Sequence, residues 1–169
     1  MAQLIKNGAV AVDPWKTLEI NEADTAESIA LPAGDVVFPL AVWQARKAEI
    51  IAARQRIGLL LQPEDRVEDI AADLASFAVI AINFPKFVDG RGYSTAALLR
   101  QRYGYAGELR AVGNVLHDQL FFMKRVGFDS YAFTDGKNAA YALEAGFRSF
   151  SDTYQAATDQ PQPYFRRRA

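Results

Sequence analysis

The sequence predicts an α/β fold: repeated β-α units forming a mostly parallel sheet, with a small N-terminal hairpin. Short apolar runs recur roughly every 20–30 residues with an amphipathic segment between them, the rhythm of right-handed β-α-β connections. Those runs are uninterrupted rather than alternating, Ala78 to Ile82 being the clearest, and this suits strands covered on both faces. The chain has 169 residues, half of them hydrophobic. That fills one core but falls short of the about 250 residues of a complete eight-fold barrel. An open doubly wound sheet and a partial barrel both satisfy the pattern.

The elements follow in order. Leu4 to Val12 reads as a hairpin, because Asn7-Gly8 suits the positive-φ positions of a type I′ turn. Residues 21 to 34 are polar and end in Pro32 and Gly34, which break a helix, so residues 1–34 form a hairpin and linker. The α/β domain spans 35–155, and 156–169 is a tail whose Arg166-Arg167-Arg168 run is a solvated end. Val36-Val37-Phe38 is a strand. Leu40 to Arg54 is a helix with Leu40, Trp43, Ile50 and Ile51 inward, and Ile57 to Leu61 is the second strand. Val67, Ile70, Ala71 and Leu74 mark one helical face at i, i+3, i+4 and i+7. Ala78 to Ile82 is the third strand. A helix capped by Ser94 and stopped at Gly104 follows, with Thr95, Leu98, Leu99 and Tyr103 inward. Leu109 to Val112 is the fourth strand. Leu116, Leu120 and Met123 stripe the next helix, which closes at Gly127. Phe128 to Phe133 is the fifth strand, Asn138 to Ala145 a short helix ended by Gly146, and Phe147 to Phe150 a sixth strand.

Composition excludes several functions. The chain has no cysteine, which removes disulfides, a redox CxxC pair, thiolate zinc and cysteine-held iron–sulfur clusters. With His117 as the single histidine, no protein-built metal site is expected. A net charge of −1 gives no general bias toward nucleic acid or anionic lipid. No run approaches the roughly 20 apolar residues of a membrane span, and the first residues lack a signal-peptide pattern. A soluble cytoplasmic protein is expected.

The segment Asn83 to Tyr93, NFPKFVDGRGY, is the most informative part of the chain. It follows a strand at the end where α/β folds place their sites, and it exceeds the usual connection of about 2–6 residues. Lys86 and Arg91 supply positive charge, and Gly90 and Gly92 allow close backbone approach. The helix start at Ser94 offers free N–H groups to an anion. The expectation is an oxyanion- or phosphate-binding site of Lys86, Arg91, Gly92 and Ser94, with Arg110 or Asn114 as a further contributor. Asp89 orients Arg91, and Tyr93, His117 and Asp118 support the site. The competing reading is a structural turn in which Asp89 pairs with Arg91 or Arg110. Asn114 reads as the N-cap of the helix carrying His117 and Asp118. Phe121 is left over from the core stripe of that helix and reads as an exposed partner surface. The residues identify no catalytic group and no cofactor.

FPKFVDGRGYS, LLRQRYGYAGELRAVGNV and DQLFFMKRVGFD together resemble an uncharacterised bacterial family often described as oxidoreductases probably involved in sulfite reduction. The resemblance is dense over residues 84 to 129 and implies a place in assimilatory sulfite reduction. One implied role is an oxidoreductase or redox auxiliary that holds an oxyanion or cofactor phosphate at the 86–94 loop. The other is a non-catalytic accessory that docks on the sulfite reductase haemoprotein, with self-association through Phe121 as a further partner mode. Relatives often carry cysteine where this chain has Val126, so any thiol chemistry of the family is closed to it.

Overall fold

The computed structural model describes residues 3–21, 24–133, 139–147 and 152–167. Eight strands form one sheet: β1 (Gln3–Lys6), β2 (Ala9–Val12), β3 (Lys16–Thr17), β4 (Val36–Pro39), β5 (Ile57–Leu61), β6 (Val79–Phe84), β7 (Glu108–Gly113) and β8 (Ser130–Ala132). Their spatial order is β2-β1-β8-β7-β6-β5-β4-β3. From β3 to β8 every neighbouring pair is parallel, whereas β1 pairs antiparallel with both β2 and β8. The five strands expected to be parallel are so. The order from β3 to β8 follows the chain without the reversal that a doubly wound sheet contains, and the sheet is a curled half-barrel.

Period-two alternation then divides the strand residues between two faces. Val36, Phe38, Leu59, Leu61, Ile80, Ile82, Phe84, Leu109 and Ala111 belong to the main core. The helices contribute to that core: α1 (Leu40–Ala53), a 3₁₀ helix (Val67–Ser76), α2 (Arg91–Ala97), α3 (Leu120–Val126) and α4 (Ala139–Gly146). A short α5 (Tyr164–Arg167) lies near the C-terminus. The opposite, inner face carries Val37, Val79 and Ala81, with Leu60 and Val112 against them and Trp15 over the top. This face curves tightly at Gly58, where an added Cβ would meet Val37 and Val79 side chains at 2.9 Å.

The N-terminal residues are built into the same sheet. The Asn7-Gly8 turn has both residues at positive φ and closes the expected hairpin, which extends one edge through β8. β3 extends the opposite edge beside β4. Residues 13–15 therefore cross the sheet from edge to edge, and Asp13-Pro14-Trp15 forms a strap over the inner face.

Several local expectations are corrected. Ile51 is 46% exposed, whereas Val42, Trp43 and Ile50 are buried. Arg46 breaks α1 with φ −129° and ψ 24°, bonding the Ile29 carbonyl and Glu49, and this resets the helical phase before Ile51. The helix expected to start at Ser94 starts at Arg91, with Gly90 at its N-cap. Ser94 is an exposed residue within the first turns. It continues as a π-helical turn (Leu98–Arg102) and ends at Gly104, φ 64°, as expected. The helix after β7 begins as a 3₁₀ turn (His117–Gln119) with Leu116 at the cap, not Asn114. Gly127 closes α3 in the left-handed conformation. Asn138 and residues 148–150 of the expected sixth strand lie outside the described residues.

Candidate functional site

The expected anion loop lies where β6 ends and α2 begins. Phe84 is buried, and the chain turns over residues 85–90, with the Asp89 N–H donating to the Lys86 carbonyl at 3.0 Å. The Asp89 carboxylate, one residue before the Gly90 cap of α2, accepts from the Arg91 N–H at 3.2 Å. It also takes two bonds from the Arg91 guanidinium, at 3.0 Å from Nε and 2.7 Å from Nη2. These bonds hold Asp89 below the usual carboxylate range and hold Arg91 above its usual value. Asp89 thus pairs with Arg91, the bonding that the structural-turn reading also expects, and consumes two of its donors. Lys86 is exposed and makes no ion pair within 4 Å among the described residues.

Gly92 is buried for a packing reason. A Cβ there would meet the Phe84 ring at 2.7 Å and the Ile82 side chain at 3.0 Å, so the glycine lets α2 approach β6. Ser94 is exposed one helical turn further on. Asn114 is exposed on the next loop, where its N–H donates to the Phe84 carbonyl at 2.7 Å. His117 is exposed and meets Tyr141 edge-on at 5.3 Å, beside an exposed Asp118. Tyr93 is half-buried. Burial first, and the Asp118 charge second, raise its hydroxyl pKa.

Arg110 does not join this group. It sits mid-strand in β7 on the inner face, 3% exposed, between two carboxylates. Its Nη1 donates to both Asp13 oxygens at 2.8 Å, and Nε and Nη2 donate to Glu108 at 2.8 and 2.6 Å. Lys6 meets the other Glu108 oxygen at 2.5 Å. Burial pushes the Glu108 carboxyl up, but Lys6 and Arg110 outweigh it and leave the group below its ordinary value. The network ties the strap to the sheet: Asp13 Oδ1 also accepts from the Trp15 N–H at 3.0 Å, and Arg56 lies 4.8 Å over the Trp15 ring. Beyond the strap, Gln62 and Asn83 bond at 2.8 Å at the C-terminal end of the inner face.

Beside the exposed Lys86, Arg91, Ser94 and Asn114, the rim also presents large apolar groups to solvent. Phe87 is 51% exposed, Val88 86% and Phe122 53%. Phe122 packs edge-on against Tyr93 at 5.2 Å, and Tyr93 packs against the buried Phe84 at the same spacing. This aromatic ladder fixes Phe122 from beneath while leaving its outer face open. The exposed aromatic of α3 is therefore Phe122. Phe121 is half-buried, because the preceding 3₁₀ turn rotates the helix relative to a continuous stripe from Leu116. Among the described residues no group of three or more His, Asp or Glu is placed to hold a metal ion. Among them also, no helix is long and apolar enough to cross a membrane.

The inner-face network was missed by sequence reasoning, although its signal is present in β7. Glu108 and Arg110 alternate with Leu109 and Ala111, so two charges point away from the helices in a central strand.

No curated protein matches this chain. Residues 58–165 match the model of a bacterial protein family of unknown function, DUF934. The chain belongs to that family, and the match runs from β5 to α5.

Proposed function

We propose that this protein is an accessory of assimilatory sulfite reduction that docks on the sulfite reductase haemoprotein through the rim at the C-terminal ends of β6 and β7. The observation that carries the reading is the exposed apolar set Phe87, Val88 and Phe122, with Phe122 held rigid by Tyr93. Exposed large apolar groups at one place are typical of interaction sites, and pre-ordered aromatics make strong anchors because little rotamer freedom is lost on binding. The sulfite-reduction context comes from the sequence resemblance around residues 84–129. Sedimentation velocity followed at the haem absorbance tests the reading. Adding this protein should shift the haemoprotein boundary, and Phe122→Ser should return it. An unshifted boundary, or a shift due only to self-association of this chain, contradicts it.

A second reading, an oxidoreductase or redox auxiliary with an oxyanion or cofactor phosphate at the 86–94 loop, is favoured by Lys86. It is exposed on the loop that also carries Arg91, and among the described residues it makes no ion pair. Thermal shift with sulfite, sulfate and phosphate separates the two. A ligand at about 100 times its dissociation constant adds about 2.7 kcal/mol of stability, and Lys86→Ala should remove that gain. No anion response leaves docking as the only reading.

A further inference from the structure

We propose that the free edge of β2 pairs with the same edge of a second copy of this chain, joining two half-barrels through one antiparallel ladder. β2 is the outermost strand on its side of the sheet, and among the described residues no strand pairs with its far edge. It reads Ala9-Val10-Ala11-Val12, with no charge, proline or bulge, and Val10 is 38% and Val12 58% exposed. Edge strands usually carry one of those guards, because unpaired backbone groups are a template for another strand. The opposite edge shows the contrast. β3 is two residues long and begins with Lys16, so it offers no comparable ladder.

The backbone bonds fix which residues face the open edge. In an antiparallel pair each residue turns its N–H and C=O to one side, and successive residues alternate. The Asn7 N–H donates to the Asp129 carbonyl at 2.8 Å, just beyond β8. Ile5, two positions back, therefore bonds β8, and Leu4 and Lys6 bond β2. Their partners Ala11 and Ala9 are thereby used, and Val10 and Val12 turn both backbone groups outward.

A second copy suits this edge because the edge is complementary to itself. A two-fold axis requires opposed residues to lie on the same face. Val10 opposite the partner's Val12 meets that condition, with the two Ala11 residues on the axis. Each valine pair then exchanges both of its bonds, the branched side chains lie beside one another, and no like charges meet. Pairing of β2 with β3 of another copy would be head-to-tail, and β3 is too short to hold it. The interface is small, so the dimer forms and dissociates with concentration.

Sedimentation velocity of the full chain over a concentration series, read beside amide hydrogen exchange, tests the pairing. Wild type should pass from monomer to dimer. The Val10 and Val12 amides should slow as it does so, with Ala9 and Ala11 unchanged. Val12→Lys brings like charge to both ends of the ladder and should weaken association at least about tenfold. Val12→Thr keeps a β-branched side chain and the backbone bonds, and should stay within about threefold of wild type. The position is exposed, so neither variant should move the thermal midpoint. The proposal is overturned by a monomer at every concentration, or by a dimer that survives Val12→Lys. A dimer whose Val10 and Val12 amides exchange as fast as in the monomer overturns it equally. None of these readouts involves the haemoprotein, so this proposal and the docking reading fail separately.

Discussion

Two arginine–aspartate pairs of nearly equal length play different parts in this molecule. Arg91 meets Asp89 at 2.7 Å on the rim, and Arg110 meets Asp13 at 2.8 Å on the inner face of the sheet. Arg91 is 59% exposed and Arg110 3%. The two aspartates are about equally covered, at 16% and 14% exposed, but the Arg91 guanidinium stays in water, which screens the first pair, so it shapes a turn and little else. The second pair has given up most of its hydration; Arg110 has Glu108 as its other acceptor, and Asp13 has the Trp15 N–H. Separation alone does not tell a decorative ion pair from a structural latch. Burial and the number of satisfied donors do.

That contrast is open to direct attack. Arg110→Met leaves Asp13 without a cationic partner and Glu108 with Lys6 alone, and should cost about 3–5 kcal/mol in urea denaturation. A loss under 1 kcal/mol would show that the strap does not depend on the latch. Gly92→Ala comes next. The added methyl drives α2 from Phe84 and should cost about 1–3 kcal/mol, read from the same denaturation curves. An unchanged midpoint would mean that α2 is free to slide.

The third test uses acid. Folding holds Glu108 below its ordinary value, so its contribution is complete above the unfolded pKa of about 4.3 and is lost as pH falls through the lower folded value. Asp129 has the opposite sign. Burial raises it despite Arg100, so its contribution is present at low pH and is lost as pH rises through the raised value. Glu108→Gln should therefore flatten the acid limb of stability against pH below about 4.3, where Asp129 gives no such loss. Superimposable limbs for wild type and variant would remove Glu108 from the account. The smallest effects belong to the rim: Arg91→Ala and Ser94→Ala should leave the thermal midpoint essentially where it is. A clear drop in either would erase the distinction between the two pairs.

The same contrast explains what could be read from the sequence. The strands β4, β5 and β6 were legible because a buried parallel strand needs an apolar run, and those runs stand out, whereas β7 alternates charge with apolar residues. Gly104 and Gly127 were legible as helix stops because positive φ is cheap there. Ser94 was misread because two adjacent signals compete. Asp89, one residue before the Gly90 cap, accepts from the Arg91 N–H, and the helix is under way before the serine is reached. Arg110 was misassigned because a sequence shows that a charge is present but not which face of the strand carries it relative to its partners. Asp13 is the missing half of that information, and it lies 97 positions away. Trp15 went unnoticed for a similar reason, since its role appears only once β2 and β3 are known to occupy opposite edges. Phe121 and Phe122 were exchanged because a 3₁₀ turn of a single triplet shifts the helical phase.

If docking runs through the rim, its apolar groups should carry the binding and its exposed ion pair should not. Isothermal titration of the sulfite reductase haemoprotein with three forms of this protein tests it most directly. Wild type and Arg91→Ala should bind alike, and Phe122→Ser should bind at least about tenfold more weakly, as expected when a central aromatic anchor is lost. No binding by wild type, or equal binding by all three, would contradict it.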